Sequence, residues 1–362
     1  MMMPYRNVVS GSFDAERFWE PGNLSHLPVM ADETAKKITA RMDELLFLLC
    51  GNEDVLFTKE GFHPAFKKYL TELGFSLDCN EERFSMEDSP LPIPHPERVA
   101  GAALNPFALL PNMEDWCRRF AVSYQFPSMP CVKEVNSKGY SYKLRRRLGL
   151  DYGAVLVNSA EELLTLGATL LNQHKQGVVV KELYGVSGKG NLLIQSPAIL
   201  ERIARFLDKQ ERKGCLTQLL LEPFLEKERD FACAAFIGRD QSVRILTVQE
   251  MKTIGLAYGG SSKMQSDLYT YIEQSGYFRY IASACEALGR TGYFGDVCFD
   301  SMLLQDGSVI PIVEINARKS MTLFKYHLDR RLEVSGLEAL FSYAPLLAPP
   351  GFSFSHLVKL LE

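Results

Sequence analysis

The apolar positions change period several times along the 362-residue chain, and each change predicts an element. Glu53 to Thr58 is a short strand-like run, and Pro64 to Gly74 has apolar residues at helical spacing closed by a glycine. Strand and helix alternating in this way predict an open α/β sheet. Met86 to Arg98 is proline-rich and reads as a loop, whereas Asn112 to Phe126 reads as a helix that stops before Pro127 and Pro130.

From Val132 the pattern changes. Ser141 to Leu150 predicts a basic helix closed near Gly149, Ala154 to Val157 a strand, and Ser159 with Glu162 three residues on a helix start of the capping-box kind. Gly177 to Glu182 and Asn191 to Gln195 read as strands flanking the glycine-rich GVSGKG; a helix near Pro197 to Lys213 and a strand at Thr217 to Glu222 follow. That order is an α+β pattern. Arg229 to Ile237, Ser242 to Glu250 and two strands around Asp296 and Glu314 predict a larger antiparallel sheet. Gly336 onward, with Pro345, Pro349 and Pro350, reads as a helical and loop tail.

Candidate chemistry is densest between Gly292 and Arg318. Asp296 follows a glycine turn and opens an alternating apolar segment, and Asp306-Gly307 is a hairpin-type turn that returns the chain through Val309, Ile310, Ile312 and Val313. Glu314 and Asn316 lie two apart and share a strand face, with Arg318 one step further. Carboxylate and amide oxygens suit Mg²⁺, and a fixed arginine suits a developing oxyanion or phosphoryl group. An Asp-Gly turn alone is ordinary hairpin chemistry. Glu and Asn are poor strand residues, however, so Glu-x-Asn-x-Arg placed directly after branched apolar residues points to a site.

Composition narrows the classes. With 46% hydrophobic and 23% charged residues and a net charge of −4, the chain is an ordinary globular protein without an electrostatic footprint for nucleic acid or an anionic membrane. No apolar run approaches the ~20 residues that span a bilayer. The amino end lacks the basic start and apolar block of a secretory signal, so a cytoplasmic location is the expectation. The eight cysteines are scattered with no C-x-x-C, which suggests neither a zinc site nor a disulfide framework, and Cys298 has no nucleophile's surroundings.

Gly188-Lys189 invites comparison with a P-loop and fails it: Leu183 stands where the first glycine belongs, Gly190 replaces the Ser or Thr, and NLLIQ continues as a strand. The loop is therefore a hairpin tip whose glycines let backbone N–H groups approach phosphates, with Lys181 on the preceding strand as a point charge.

A lysine strand, a glycine loop, a strand ending Glu222-Pro-Phe-Leu225, acidic residues and then Glu-x-Asn-x-Arg resemble, in that order, the ATP-grasp superfamily over roughly Val132 to Arg318. KELYGVSGKG, preceded by Asn136-Ser-Lys138, is most similar to the pre-ATP-grasp-domain peptide ligases of the pheganomycin type and to the butirosin-type carrier-protein ligase. The resemblance implies an α/β and α+β ATP-grasp fold in four parts. These are an N-terminal Rossmann-like pre-ATP-grasp domain (1–131), a small lobe with the glycine loop (132–225), a large lobe with the metal site (226–330) and a helical tail (331–362).

The resemblance also implies site residues. Lys138 and Lys181, with Gly185, Ser187, Gly188 and Gly190 of the loop, match the phosphate contacts, although a solvated Lys138 is an equally ordinary reading. Lys143, Arg145, Arg146 and Arg147 read as that helix's solvated face. Glu222, Phe224 and Leu225 match the adenine hinge, and Glu228 matches the ribose carboxylate, with Asp230 as its rival on the same face. Asp296, Glu314 and Asn316 match the metal ligands, with Asp300 competing for the first place. Arg318 matches the arginine that steadies an acyl phosphate; Lys263, in a GGSSKM segment that reads as a flexible lid, is a further catalytic candidate. The implied cofactors are ATP and Mg²⁺, two ions, with Mn²⁺ as a substitute. The implied reaction is ATP-dependent amide formation from an amino acid or peptide through an acyl phosphate. Alternatives are acylation of a carrier-protein thiol, phosphate transfer to a small molecule, and a binding protein with a decayed site. Small-molecule substrates or an acyl carrier protein are the expected partners, without nucleic acid or membrane and with oligomers open.

Overall fold

The computed structural model describes residues 5–28, 32–84, 96–185, 190–255, 257–344 and 348–361. Its strands are β1 (Asn7–Ser10), β2 (Asp54–Phe57), β3 (Asp78–Cys79), β4 (Ala103–Pro106), β5 (Val155–Val157), β6 (Val178–Glu182) and β7 (Asn191–Ile194). They continue as β8 (Leu219–Pro223), β9 (Lys227–Ile237), β10 (Val243–Ile254), β11 (Ala257–Lys263), β12 (Gly295–Leu304), β13 (Val309–Asn316) and β14 (Phe341–Ser342). The helices are α1 (Glu16–Trp19), α2 (Glu33–Arg41), α3 (Pro64–Glu72), α4 (Pro96–Val99), α5 (Met113–Arg119), α6 (Met129–Val135) and α7 (Lys138–Arg147). After them come α8 (Ala160–Gln173), α9 (Pro197–Glu211), α10 (Ser266–Gln274), α11 (Tyr277–Arg290), α12 (Met321–Leu332) and α13 (Phe354–Leu361).

Contacts divide the chain into two compact units, and the division is not linear. One holds residues 1–15, 32–126 and 343–362; the other holds 16–31 and 127–342.

In the first unit β3-β2-β1-β4 form a parallel sheet, and every residue of β2 is buried, as a strand covered on both faces requires. The helix expected over 112–126 is shorter than its apolar pattern: α5 stops at Arg119, and Ala121 takes a left-handed φ of 51° so that Ser123 can bridge to Ala103. Most of the proline-rich segment lies outside the described residues.

Asp43, in the 3₁₀ helix Met42–Leu49, carries a measurable pH signature. Burial pushes its carboxyl up to about 7 even though Oδ2 accepts the Lys59 N–H at 2.5 Å, and Oδ1 is buried with no hydrogen-bond partner. A carboxyl whose folded pKa exceeds its unfolded one binds extra protons in the fold, so its contribution to stability declines as pH rises from about 4 to about 7. Asp43→Asn mimics the neutral form and is expected to raise stability at pH 8 by about 1–2 kcal/mol, with no gain at pH 4. Thermal melts at the two pH values check it; an equal change at both would refute the assignment.

The second unit contains two sheets. The smaller, β5-β8-β6-β7, is antiparallel and is packed by α8 through Leu163 and Leu170 and by α9 through Leu200, Ile203 and Leu207. Ser159 and Ser196 cap those helices through Glu162 N and Ile199 N. The larger has the order β13-β12-β9-β10-β11-β14, and α11 lays Tyr277, Ile281, Ala284, Cys285 and Leu288 over it. The GGSSKM segment is not the loop expected from its composition: 257–263 is strand β11, paired with β10 and β14. Gly260 allows this, since a Cβ there would stand 2.4 Å from the Phe341 carbonyl oxygen.

Candidate active site

Lys181 ends the buried run Val178–Val180 on β6, which leads its side chain toward β8 and Glu222. Glu222 is 3% exposed and its carboxylate is saturated: Oε2 meets Lys181 Nζ at 2.5 Å, while Oε1 accepts from Arg145 Nη2 and Tyr152 OH, each at 2.7 Å. Burial alone would raise this carboxyl, but the Lys181 and Arg145 charges outweigh it and hold it at about 2. Its stabilising contribution is therefore complete above pH 4.5 and lost as pH falls toward 2. Glu222 lines the cavity at its Lys181 side, among charges rather than at an open hinge edge.

Arg145 corrects the expectation of a wholly solvated basic face on α7. It is 1% exposed, because Lys138, Ser141 and Arg145 recur at helical spacing along the side of α7 that meets β13. Lys138 Nζ donates to the Gly185 carbonyl at 2.8 Å and to Glu314 Oε1 at 2.9 Å, so this lysine is buried and engaged.

On the larger sheet, β12 and β13 pair Asp300 with Glu314 and Cys298 with Asn316, which sets the polar residues side by side. Asn316 Nδ2 donates to Asp300 Oδ2 at 3.0 Å. Burial, and then the neighbouring Glu314 charge, push the Asp300 carboxyl up to about 7. Asp296 lies four residues from Asp300 along β12, lines neither cavity, and pairs with Lys319 at 3.2 Å. The structure thus brings Asp300, and not Asp296, to Glu314 and Asn316. Cys298 lines the same cavity with its thiol pushed up to about 12 by burial, which leaves it inert as a nucleophile.

Asp230 reaches the cavity from β9, paired with Lys227 and accepting from Thr253 Oγ1 at 2.7 Å; Glu228 is exposed and outside it. Phe224 and Leu225 line the wall beyond Pro223, with Phe224 N donating to Gly177 O at 3.0 Å. Arg318 directs Nε and Nη2 onto Glu16 Oε1 at 2.9 and 2.6 Å and Nη1 onto the Lys319 carbonyl. Lys263 is remote: 75% exposed, it faces Glu338 at 3.6 Å. Gly190, at φ 77°, closes the loop by accepting from Glu182 N; Ser187 and Gly188 lie outside the described residues.

Two adjoining cavities of about 200 and 210 Å³ join these groups. One is lined by Lys138, Gly185, Glu314, Asn316 and Arg318, the other by Lys181, Glu222, Phe224, Leu225 and Asp230. Asn191, Met251, Thr253, Asp300 and Glu314 line both. Among the described residues no three His, Cys, Asp or Glu side chains gather as a metal cluster. Asp300, Glu314 and Asn316 instead offer two carboxylates and an amide, an all-oxygen set that fits a hard divalent cation able to complete its shell with phosphate and water.

Sequence reasoning missed Asn191, Arg145, Tyr152 and Glu16. Asn191 was legible as a polar residue directly after the glycine loop; its Oδ1 is buried without a partner. Glu16, on the four-residue α1, carries no local signal and is tied to the site only by a contact spanning 302 positions.

No known family's sequence profile matches the chain. It is 24% identical over 303 residues, 83% of this chain and 69% of the other, to the [butirosin acyl-carrier protein]–L-glutamate ligase of Niallia circulans. Among solved structures it superposes on the biotin carboxylase domain of Hydrogenobacter thermophilus 2-oxoglutarate carboxylase, in complex with MgADP, ADP and bicarbonate. That match has a TM-score of 0.52 at 14% identity and covers 91% of this chain and 67% of the other. The D-alanyl-alanine synthetase A of Vibrio cholerae O1 biovar eltor str. N16961 matches with a TM-score of 0.51 at 10% identity, covering 93% and 95%. These likenesses establish the ATP-grasp fold.

Proposed function

We propose that this chain is an ATP-dependent ligase that activates a carboxylate as an acyl phosphate and passes the acyl group to an amine. The observation that carries the reading is the convergence of Lys138, Lys181, Asp300, Glu314, Asn316 and Arg318 on two connected cavities. In this reading residues 132–225 and 226–330 are the lobes that enclose ATP. Adenine lies against Phe224 and Leu225, Asp230 in place of Glu228 accepts the ribose hydroxyls, and Lys181 and Lys138 meet the phosphates. Asp300, Glu314 and Asn316 would hold Mg²⁺, with Glu314 shared if a second ion binds, and the cation would supply positive charge to neutralise the phosphates. Substrate carboxylate attacks the γ-phosphorus and ADP leaves. The amine then attacks the acyl carbon, the oxyanion forms beside Arg318, and phosphate departs.

The acyl-carrier protein in the name of the Niallia circulans relative supports a second acceptor, a carrier-protein thiol in place of the amine. A screen of amino acids and dipeptides, singly, in pairs and with a pantetheinylated carrier, for stimulated ADP release decides between them. Amide product supports the first acceptor and a mass gain on the carrier the second; no stimulation by any pairing would argue against both. No described helix is long and apolar enough to cross a membrane.

In the structure Lys138 bonds Oε1 of Glu314, one of the two carboxylate oxygens that this reading offers to a metal. A cation bound there would compete with Lys138, whose ammonium would then be free to meet a phosphate. Lys138→Met is expected to strengthen Mn²⁺ binding to nucleotide-free protein and to weaken ADP binding, each about tenfold. Mn²⁺ titration by electron paramagnetic resonance and ADP calorimetry read the two; changes in the same direction would contradict the exchange.

A further inference from the structure

Three side chains on one face of α7 grip a single stretch of β13. Arg145 Nη1 donates to the Val313 carbonyl, Ser141 Oγ accepts from Ile315 N at 3.1 Å, and Lys138 Nζ meets the Glu314 carboxylate between them. The two peptide groups that set the direction of the Glu314 side chain are thus both held by one helix. Arg145 also reaches the other way. Its Nη2 takes Glu222 Oε1, its guanidinium carbon lies 4.4 Å from the centre of the Tyr152 ring, and Tyr152 OH takes the same oxygen, which leaves Oε2 to Lys181. One planar, permanently charged fork therefore spans from the Glu222 carboxylate on β8, which holds Lys181, to the backbone beside Glu314 on β13.

We propose that Arg145 is a positioning residue that couples the phosphate-binding lysine to the metal-binding carboxylate, with Ser141 fixing the far side of Glu314. The inference rests on the nucleotide and metal reading of the cavities. It assigns Arg145 no contact with substrate. A lysine at position 145 keeps the charge but cannot bond two partners in opposite directions, so one end of the span must loosen.

The test compares the unaltered protein with Arg145→Lys and Ser141→Ala, using ADP by calorimetry, Mn²⁺ in the presence of ADP by electron paramagnetic resonance, and thermal melts. Arg145→Lys is expected to weaken both ligands about tenfold or more, and Ser141→Ala to weaken Mn²⁺ about tenfold while leaving metal-free ADP binding unchanged. A merely structural role would lower the melting temperature and leave the affinities alone. Folded Arg145→Lys with unaltered affinities overturns the coupling. Should that variant fail to fold, Ser141→Ala decides, and unaltered Mn²⁺ affinity there overturns it. If the unaltered protein binds no ADP, the nucleotide reading falls first and this inference with it.

Discussion

Glu314→Gln is expected to lower ADP formation by about three orders of magnitude while the protein stays folded. Glu314 lines both cavities, as Asp300 does, stands opposite Asp300 across the β12–β13 pair and receives Lys138. Glutamine preserves its volume and an acceptor for the Lys138 ammonium, which is 4% exposed and costly to leave unpaired, so the change removes charge and little else. What disappears is the Glu314 share of the anionic charge that the Asp300–Glu314 pair would present to a divalent cation. A coupled ADP assay with a thermal melt checks it; activity within about threefold of the unaltered protein would remove Glu314 from the mechanism.

Arg318→Lys should separate chemistry from binding. The guanidinium is clamped by two of its nitrogens on Glu16 Oε1 and a third on the Lys319 carbonyl, a grip no ammonium can repeat. Its positive charge is thereby fixed on the cavity wall, where the proposed reaction would develop charge on an acyl centre, and preorganised charge acts mainly in the transition state. The expected result is a fall in kcat of about 100- to 1000-fold with ADP affinity unchanged. Equal losses in kcat and in ADP affinity would place Arg318 in nucleotide binding, and unchanged kcat would exclude it from the reaction.

Legibility of the fold followed local rules. β2, α3, β6, β7, α9, β9 and the β12–β13 hairpin were visible because each is fixed by its own period and its turn residues; Gly307 takes the positive φ of 83° that the Asp-Gly turn predicts. The buried stripe of α11, Tyr277, Ile281, Ala284, Cys285 and Leu288, is equally regular and went unread. β11 could not be read locally: glycine and serine signal a loop, and only β14 approaching Gly260 shows why they form a strand.

The candidate site divides along the same line. Lys181, Glu314, Asn316 and Arg318 stand out by type and spacing within single segments. Asp300 over Asp296, and Asp230 over Glu228, depend on how far along its strand each residue meets the cavity, which a period of two cannot tell. Arg145 was misread because a run of basic residues says nothing of which one a neighbouring strand will bury. Glu16 meets Arg318 only through the tertiary fold.

The most direct test is a crystal structure with ADP and Mn²⁺, using the anomalous signal to locate the metal. The account predicts manganese bound by Asp300, Glu314 and Asn316, adenine against Phe224 and Leu225, and Lys138 moved from Glu314 to a phosphate. Manganese elsewhere, or a nucleotide outside the joined cavities, would contradict it.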